Sequence, residues 1–305
     1  MSLRITNQRI WVILGIISLS WGTAPIAGRI GLAEGIGPST MAAGGSLVAA
    51  VAVWLMIGLM RRRNLVGPAE LRIGLVLALV AVLLPQQARY LALANASAGF
   101  VTLISALIPL GTALIAHFML ADERLNPWTT FGLLLGLAGT AALILIGDSG
   151  IIEGGDPTTA GMMALAAVVF ISLASVYAKR YAGQYSVLGV TGVQLAVGSL
   201  AQWAVALTIE GLPLGHSTTG LLAILYVGTI GVFLPLSLYY FLIRHVPVVF
   251  SSVISYLIPL VAVIAGVLVL DEQLQPGILL GGALVLSGVV VTDLVRIREA
   301  RRQGA

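Results

Sequence analysis

Ten runs of about 20 apolar residues, set end to end with short polar breaks, constrain this chain more than any other feature. They cover Trp11–Arg29, Thr40–Met60, Leu71–Leu91, Ala98–Leu120, Trp128–Gly147, Thr159–Lys179, Ser186–Ile209, Thr219–Ile243, Val249–Leu270 and Pro276–Val295. Each can cross the hydrocarbon layer as an α-helix, which satisfies its own backbone hydrogen bonds without water. Composition agrees: 9% of residues are charged, against about 25% in a soluble domain. Too few charges remain to cover a water-facing surface, so lipid is the expected outer solvent. The first run follows Arg4 and Arg9 as a leader would. It is long enough to span, however, and nine runs follow it, so a membrane helix is expected there.

A net charge of +4 can indicate nucleic acid, but the basic residues cluster between apolar runs, the pattern of membrane orientation. With a cytoplasmic N-terminus, the inner segments hold Arg4, Arg9, Arg61, Arg62, Arg63, Arg72, Arg124, Lys179, Arg180, Arg244, Arg296, Arg298, Arg301 and Arg302. The outer side receives Arg29 and Arg89, with Glu34, Asp148, Glu153, Asp156, Glu210, Asp271 and Glu272 in its loops. Both termini are therefore expected in the cytoplasm, with the chain integral to the cell inner membrane. The absence of cysteine closes disulfide frameworks and Cys-based metal or redox sites. No Walker A loop is present. The expected partners are the bilayer and a small-molecule metabolite, with no nucleic acid, metal or cofactor; a homodimer stays open.

The chain also repeats itself, as residues 1–150 and 151–305. Leu84-Pro85 recurs as Leu234-Pro235, Tyr90 as Tyr240, Phe100 as Phe250, and Ile104-Ser105 as Ile254-Ser255. Leu107-Ile108-Pro109-Leu110 recurs as Leu257-Ile258-Pro259-Leu260. After one dropped residue, Glu123, Leu125, Pro127, Gly132 and Gly139 match Glu272, Leu274, Pro276, Gly281 and Gly288. Five spans per half is an odd number, so the second half enters the membrane from the opposite side. Inverted repeats enclosing a midplane site are a recurring design of secondary transporters.

Several of these segments resemble the EamA domain of the drug/metabolite transporter superfamily. In Ala96–Ile146 they are Ser105 to Leu110, Asp122-Glu123-Arg124-Leu125, Pro127 and a glycine-rich helix. Val248–Thr292 repeats them with Leu257 to Leu260, Asp271-Glu272-Gln273-Leu274 and Pro276, and Ser20-Trp21-Gly22 is similar to the family's usual opening. The resemblance covers nearly the whole chain as two tandem units. It implies an all-α integral membrane fold of ten helices in two inverted five-helix repeats. It also implies transport, often export, of metabolites such as amino acids, sugars, nucleotide sugars or choline.

Within the spans, Pro85, Pro109, Pro235 and Pro259 form two repeat-related pairs of expected kinks, and Pro25 is a lone one. Pro85 to Tyr90, with Gln86, Gln87 and Arg89, is the most polar stretch of any span. A guanidinium among amides and tyrosines suits a carboxylate or other anion, whose oxygens its planar fork can bind. The bland alternative has Arg89 snorkelling to the interface, while the shorter Gln86 and Gln87 face the bundle. Tyr239 and Tyr240 are candidates for the opposite wall. Trp21, Ser105, Tyr177, Gln194, Ser255 and Tyr256 complete the candidate substrate set. Trp21, Tyr90, Tyr239 and Tyr240 would instead form an aromatic cage if the substrate were a cation. Trp11, Trp128 and Tyr181 are placed in interfacial belts, and His117 serves as an interhelical hydrogen-bonding group or, less simply, a proton relay.

No Asp or Glu falls inside any span; Asp293 is near a helix end and can pair with Arg296. Carboxylate-based ion coupling therefore lacks support, and facilitated diffusion, exchange or export fits better. Glu123 and Glu272 lie near helix N-termini, where capping accounts for them. An intramembrane enzyme would need paired carboxylates, a metal cluster or a Ser–His set within the spans. A channel would need a polar stripe or charge ring, and a scaffold or receptor has no use for the Gln86–Arg89 cluster.

Overall fold

The computed structural model describes residues 7–60, 65–120, 125–146, 150–212, 215–242 and 248–303. Ten helical rods run through them. The first half holds α1 (Asn7–Ala33), α2 (Pro38–Leu59), α3 (Pro68–Leu77 and Leu84–Leu93, joined by the π-helical Ala78–Leu83), α4 (Ala98–Ser105 and Ile108–Met119) and α5 (Pro127–Leu145). The second holds α6 (Pro157–Arg180), α7 (Val187–Ile209), α8 (Thr218–Tyr226 and Leu234–Leu242, joined by the π-helical Val227–Phe233), α9 (Val248–Leu270) and α10 (Pro276–Gln303). Among the described residues there is no strand, only a bridge between Ala96 and Ile151. Among the described residues, eight helices are long and apolar enough to cross a membrane, and Leu257–Leu270 and Pro276–Thr292 are further apolar stretches of α9 and α10. Length and composition thus show eight of the ten spans that the sequence suggests, counted among the described residues.

Local chemistry explains where the rods begin. Proline is the first residue of α2, α3, α5, α6 and α10, where its missing N–H is no loss and its fixed φ suits the first turn. Ser97, Asn126, Asp156, Ser186 and Ser217 cap α4 to α8 by accepting from amides of the first turn. Hydrogen bonds from the Thr159 side chain and backbone hold the Asp156 carboxyl below its usual range.

The main packing partners of each rod lie in the other half: α5 with α10, α2 with α7, α1 with α9 and α8, and α6 with α3 and α4. The α5–α10 contact is reciprocal. A Cβ on Gly139 would lie 2.7 Å from the Gly281 carbonyl oxygen, and one on Gly281 would lie 2.8 Å from that of Gly139. Gly132 and Gly288 oppose each other in the same way, backbone against backbone. Gly132 and Gly139 are the repeat mates of Gly281 and Gly288, so the two related helices cross antiparallel through one isologous patch. Small residues permit this close approach where lipid supplies no hydrophobic drive.

Glu34, Asp156, Glu210 and Glu272 all bond at one end of the bundle, the acidic end, to Ser217, Thr158 and Thr159, Ser39 and Thr40, and Ala98. The opposite, basic end carries Arg9, Arg72, Lys179 and Arg180. The largest buried cluster runs between α1, α3, α4 and α6 around Tyr90, Leu93, Phe100 and Leu110.

Candidate functional site

The two π-helical segments end immediately before Leu84-Pro85 and Leu234-Pro235. The sequence suggests proline kinks at these points; the structure widens the helix by one residue per turn ahead of each proline. An i→i+5 turn next to an absent N–H leaves carbonyls without their usual partners, and such segments recur at functional sites. The other proline pair diverges. At Pro109, α4 breaks just upstream, at Ala106–Leu107, whereas Pro259 lies within a continuous α9. Pro25 likewise sits within a continuous α1.

Past Pro85, the polar residues of α3 separate by direction. Gln87 accepts from Ser39 Oγ at 2.9 Å and donates to Gln202 Oε1 at 2.5 Å. Gln202, fully buried, donates to the Val82 carbonyl of the π segment at 3.2 Å. Gln87 is therefore a tether joining α2, α3 and α7. Gln202→Leu should lower the melting temperature, because Gln87 and Val82 lose partners at about 1–3 kcal/mol. Gln87→Leu/Gln202→Leu should cost less than the sum of the two single changes. Strict additivity in that thermal-melt cycle would refute the tether.

Tyr90 is buried against α1, where a Cβ on Gly28 would lie 3.0 Å from its Cε1. Arg89 differs from its neighbours: it is half-buried and makes no hydrogen bond or ion pair among the described residues. Its nitrogens are also absent from the sealed, unpartnered polar atoms, which are Ser18 Oγ, Arg29 Nε, Trp203 Nε1 and His216 Nε2. The guanidinium therefore has access to open space, on the same helical face as the half-buried Gln86 one turn earlier. A second guanidinium stands nearby, as Arg29 Nη1 donates to the Leu93 carbonyl at 2.8 Å.

The other candidates lie apart from Arg89. Trp21 and Tyr239 pack with ring centroids 5.7 Å apart, among Leu14, Ile17, Leu242 and Ile254. On α1, Trp21 is seven residues from Gly28, which marks the level of Tyr90, or about 10 Å. Tyr239 lies in the last turn of α8 toward the basic end, while Arg89 is near the acidic end of α3. Tyr239 is thus not placed across from Arg89. Tyr177 packs against Tyr181 with tilted rings, centroids 4.9 Å apart, within a cluster of α3, α6 and α7 around Ile73 and Leu77. Gln194 lies beside Gly74 of α3. Ser105 Oγ donates back to the Val101 carbonyl at 2.8 Å, and Ser255 is half-buried on α9. The side chains of Tyr240, Tyr256, Asp293 and Arg296, and residue Glu123, lie outside those described.

His117 is exposed and accepts from the Leu125 amide at 3.2 Å. Trp54 donates to the Gly192 carbonyl at 3.1 Å, which fixes it as a packing residue with one lipid-facing edge. Gln202, Ser39 and Arg29 escape the sequence-based candidate set. The first has an available clue in its amide, one of two with Gln194 in the mostly apolar α7.

Known proteins supply a frame for this geometry. The profile of the EamA-like transporter family matches residues 9–145 and again 158–293. An uncharacterized transporter of Bacillus subtilis (strain 168), YoaV, is 21% identical, covering 94% of this chain and 98% of its own. An uncharacterized inner membrane transporter of Escherichia coli (strain K12), YedA, is 27% identical, covering 89% of this chain and 87% of its own. One solved crystal structure shares the fold at a TM-score of 0.61 and 23% identity, covering 94% of this chain and 98% of that one.

Proposed function

The chain belongs to the EamA-like transporter family, and from that premise we propose a secondary transporter of a small organic metabolite bearing a carboxylate or another anionic group. The observation that carries the substrate class is Arg89, a guanidinium inside a span with no protein partner among the described residues. An arginine in that setting costs about 2.5–3.5 kcal/mol near a helix centre and less toward an end. A bound carboxylate would offset this through two parallel charge-assisted hydrogen bonds. Gln86 would supply a neutral donor and acceptor beside it. Gln87 and Tyr90, held by protein partners, would shape the wall.

Transport would proceed by alternating access between two inverted repeats of five spans each, with α9 and α10 as the ninth and tenth. The reciprocal α5–α10 glycine contacts support such a symmetry. Export or exchange fits better than ion-driven uptake, because the described spans hold no midplane carboxylate. The charge asymmetry supports cytoplasmic termini, and the inner-membrane location printed for YedA supports the same membrane here. A single-cysteine reporter after Arg302 that labels from outside intact cells would refute that orientation.

A cation reading has one observation in its favour, the Trp21–Tyr239 pair. Tyr90, the third aromatic of such a cage, instead faces Gly28. The deciding experiment is a thermal-shift screen of purified protein against amino acids, organic acids, sugars, nucleotides and quaternary amines. A ligand of the folded state raises its apparent stability by mass action. Anionic hits that Arg89→Ala abolishes support the first reading; hits confined to cations overturn it.

A further inference from the structure

We propose that Glu34, Glu210 and Glu272 latch the acidic end of the bundle shut, and that their release opens that end. The idea rests on alternating access between the halves, since each of these bonds joins one half to the other. Glu210 of the second half accepts from the amides of Ser39 and Thr40 at 2.7 and 2.9 Å and from Thr40 Oγ1 at 2.7 Å. The N-cap of α2 is Gly37, which has no side chain to cap with. A Cβ on Gly37 would overlap the Glu210 carboxylate, so the glycine leaves the place that the distant residue fills. Glu272 Oε1 accepts from the Ala98 amide at 3.0 Å, at the start of α4. It settles against Gly266 of α9, the helix it follows, where a Cβ would also overlap it. Ser217 Oγ donates to Glu34 Oε2 at 2.5 Å while it caps α8.

Helix caps ordinarily come from the residue just before the helix. α4 already has one in Ser97. A second carboxylate reaching from the far half adds little to the helix itself and much to the grip between bodies that must part. The N-terminal dipole strengthens that grip on a negative group. The basic end carries a counterpart: Glu70 of the first half accepts from the Ser186 amide at 2.7 Å, where α7 begins. α2 and α7 are thus each held at their N-termini by a carboxylate of the opposite half. Both sets are made among the described residues, so opening either end requires breaking only its own.

The chain lacks cysteine, so single-cysteine reporters read cleanly. Ala42, two residues past Thr40, and Ala106, at the break in α4 eight residues past Ala98, are both buried; the second lies roughly 12 Å below the acidic end. Each would be replaced by Cys and challenged with a membrane-impermeant maleimide from either face of oriented vesicles, with no substrate required. Glu210→Gln/Glu272→Gln should raise acidic-side labelling at both reporters about five- to tenfold and slow Ala106 labelling from the basic side. If the double variant does not fold, Glu34→Gln should move both rates the same way. Faster labelling at Ala42 alone would reduce the carboxylates to local caps and overturn the latch. Unchanged rates at both reporters, with Ala106 reachable from each face in the wild type, would overturn it too. If Ala106 is reached from neither face in any variant, alternating access itself fails, and the latch with it.

Discussion

Arg89→Ala should abolish the thermal stabilisation that an anionic ligand gives the wild type and weaken binding about 100-fold or more. Two charge-assisted hydrogen bonds, each worth roughly 1.5–3 kcal/mol, are lost together. At a ligand concentration of 100 Kd the wild type gains about 2.7 kcal/mol, and the variant would gain almost nothing. Without ligand the variant should melt at or above the wild-type temperature. The guanidinium has no partner among the described residues, so its removal relieves a desolvation cost and breaks no bond. This second readout separates a binding arginine from a structural one, whose loss would lower the ligand-free melting temperature. Arg89→Lys keeps the charge without the fork and should recover only part of the affinity. Unchanged affinity in Arg89→Ala would remove the anionic substrate class. Trp21→Ala, removing one ring of the Trp21–Tyr239 pair, would then be the next variant to measure.

Much of this geometry was written in the sequence, and its limits were physical. The rods were legible because lipid as solvent demands long apolar runs, and the family because two sets of prolines, glutamates and glycines recur in order. Proline announced a disturbance in α3 and α8 but not its form; whether a helix bends or widens depends on what receives its freed carbonyls. In α3 that receiver is Gln202, far along the chain. Gln86 and Gln87 read alike in sequence, yet neighbouring helices claim one and leave the other. The separation of Arg89 from Tyr239 was implicit in the repeat, which pairs them at the offset that relates Tyr90 to Tyr240. Mates in antiparallel helices occupy opposite ends, as the crossing of α5 and α10 makes plain.

That crossing yields the other large effect. Gly139→Ala and Gly281→Ala should each destabilise the protein by roughly 1–3 kcal/mol, the usual cost of overpacking a tight contact. A larger side chain, as in Gly288→Leu, should leave little folded material. The new Cβ at Gly139 would meet the Gly281 carbonyl oxygen at 2.7 Å and the Val285 amide nitrogen at 2.7 Å. Backbone atoms cannot rotate out of the way, so the helices must separate and lose dispersion contacts along their length. Gly139→Ala/Gly281→Ala should cost less than the sum of the singles, because one separation accommodates both methyl groups. Gly15 and Gly58 provide the control, as a Cβ at either meets nothing within 4 Å. Alanine there should be neutral or stabilising, since it is the better helix former by about 1 kcal/mol. Detergent thermal melts and size-exclusion profiles measure all of these variants on one scale. Equal gains at Gly15 and Gly139 would mean that helix propensity, not the isologous contact, sets the response. Losses confined to Gly139 and Gly281 would assign the response to the isologous contact.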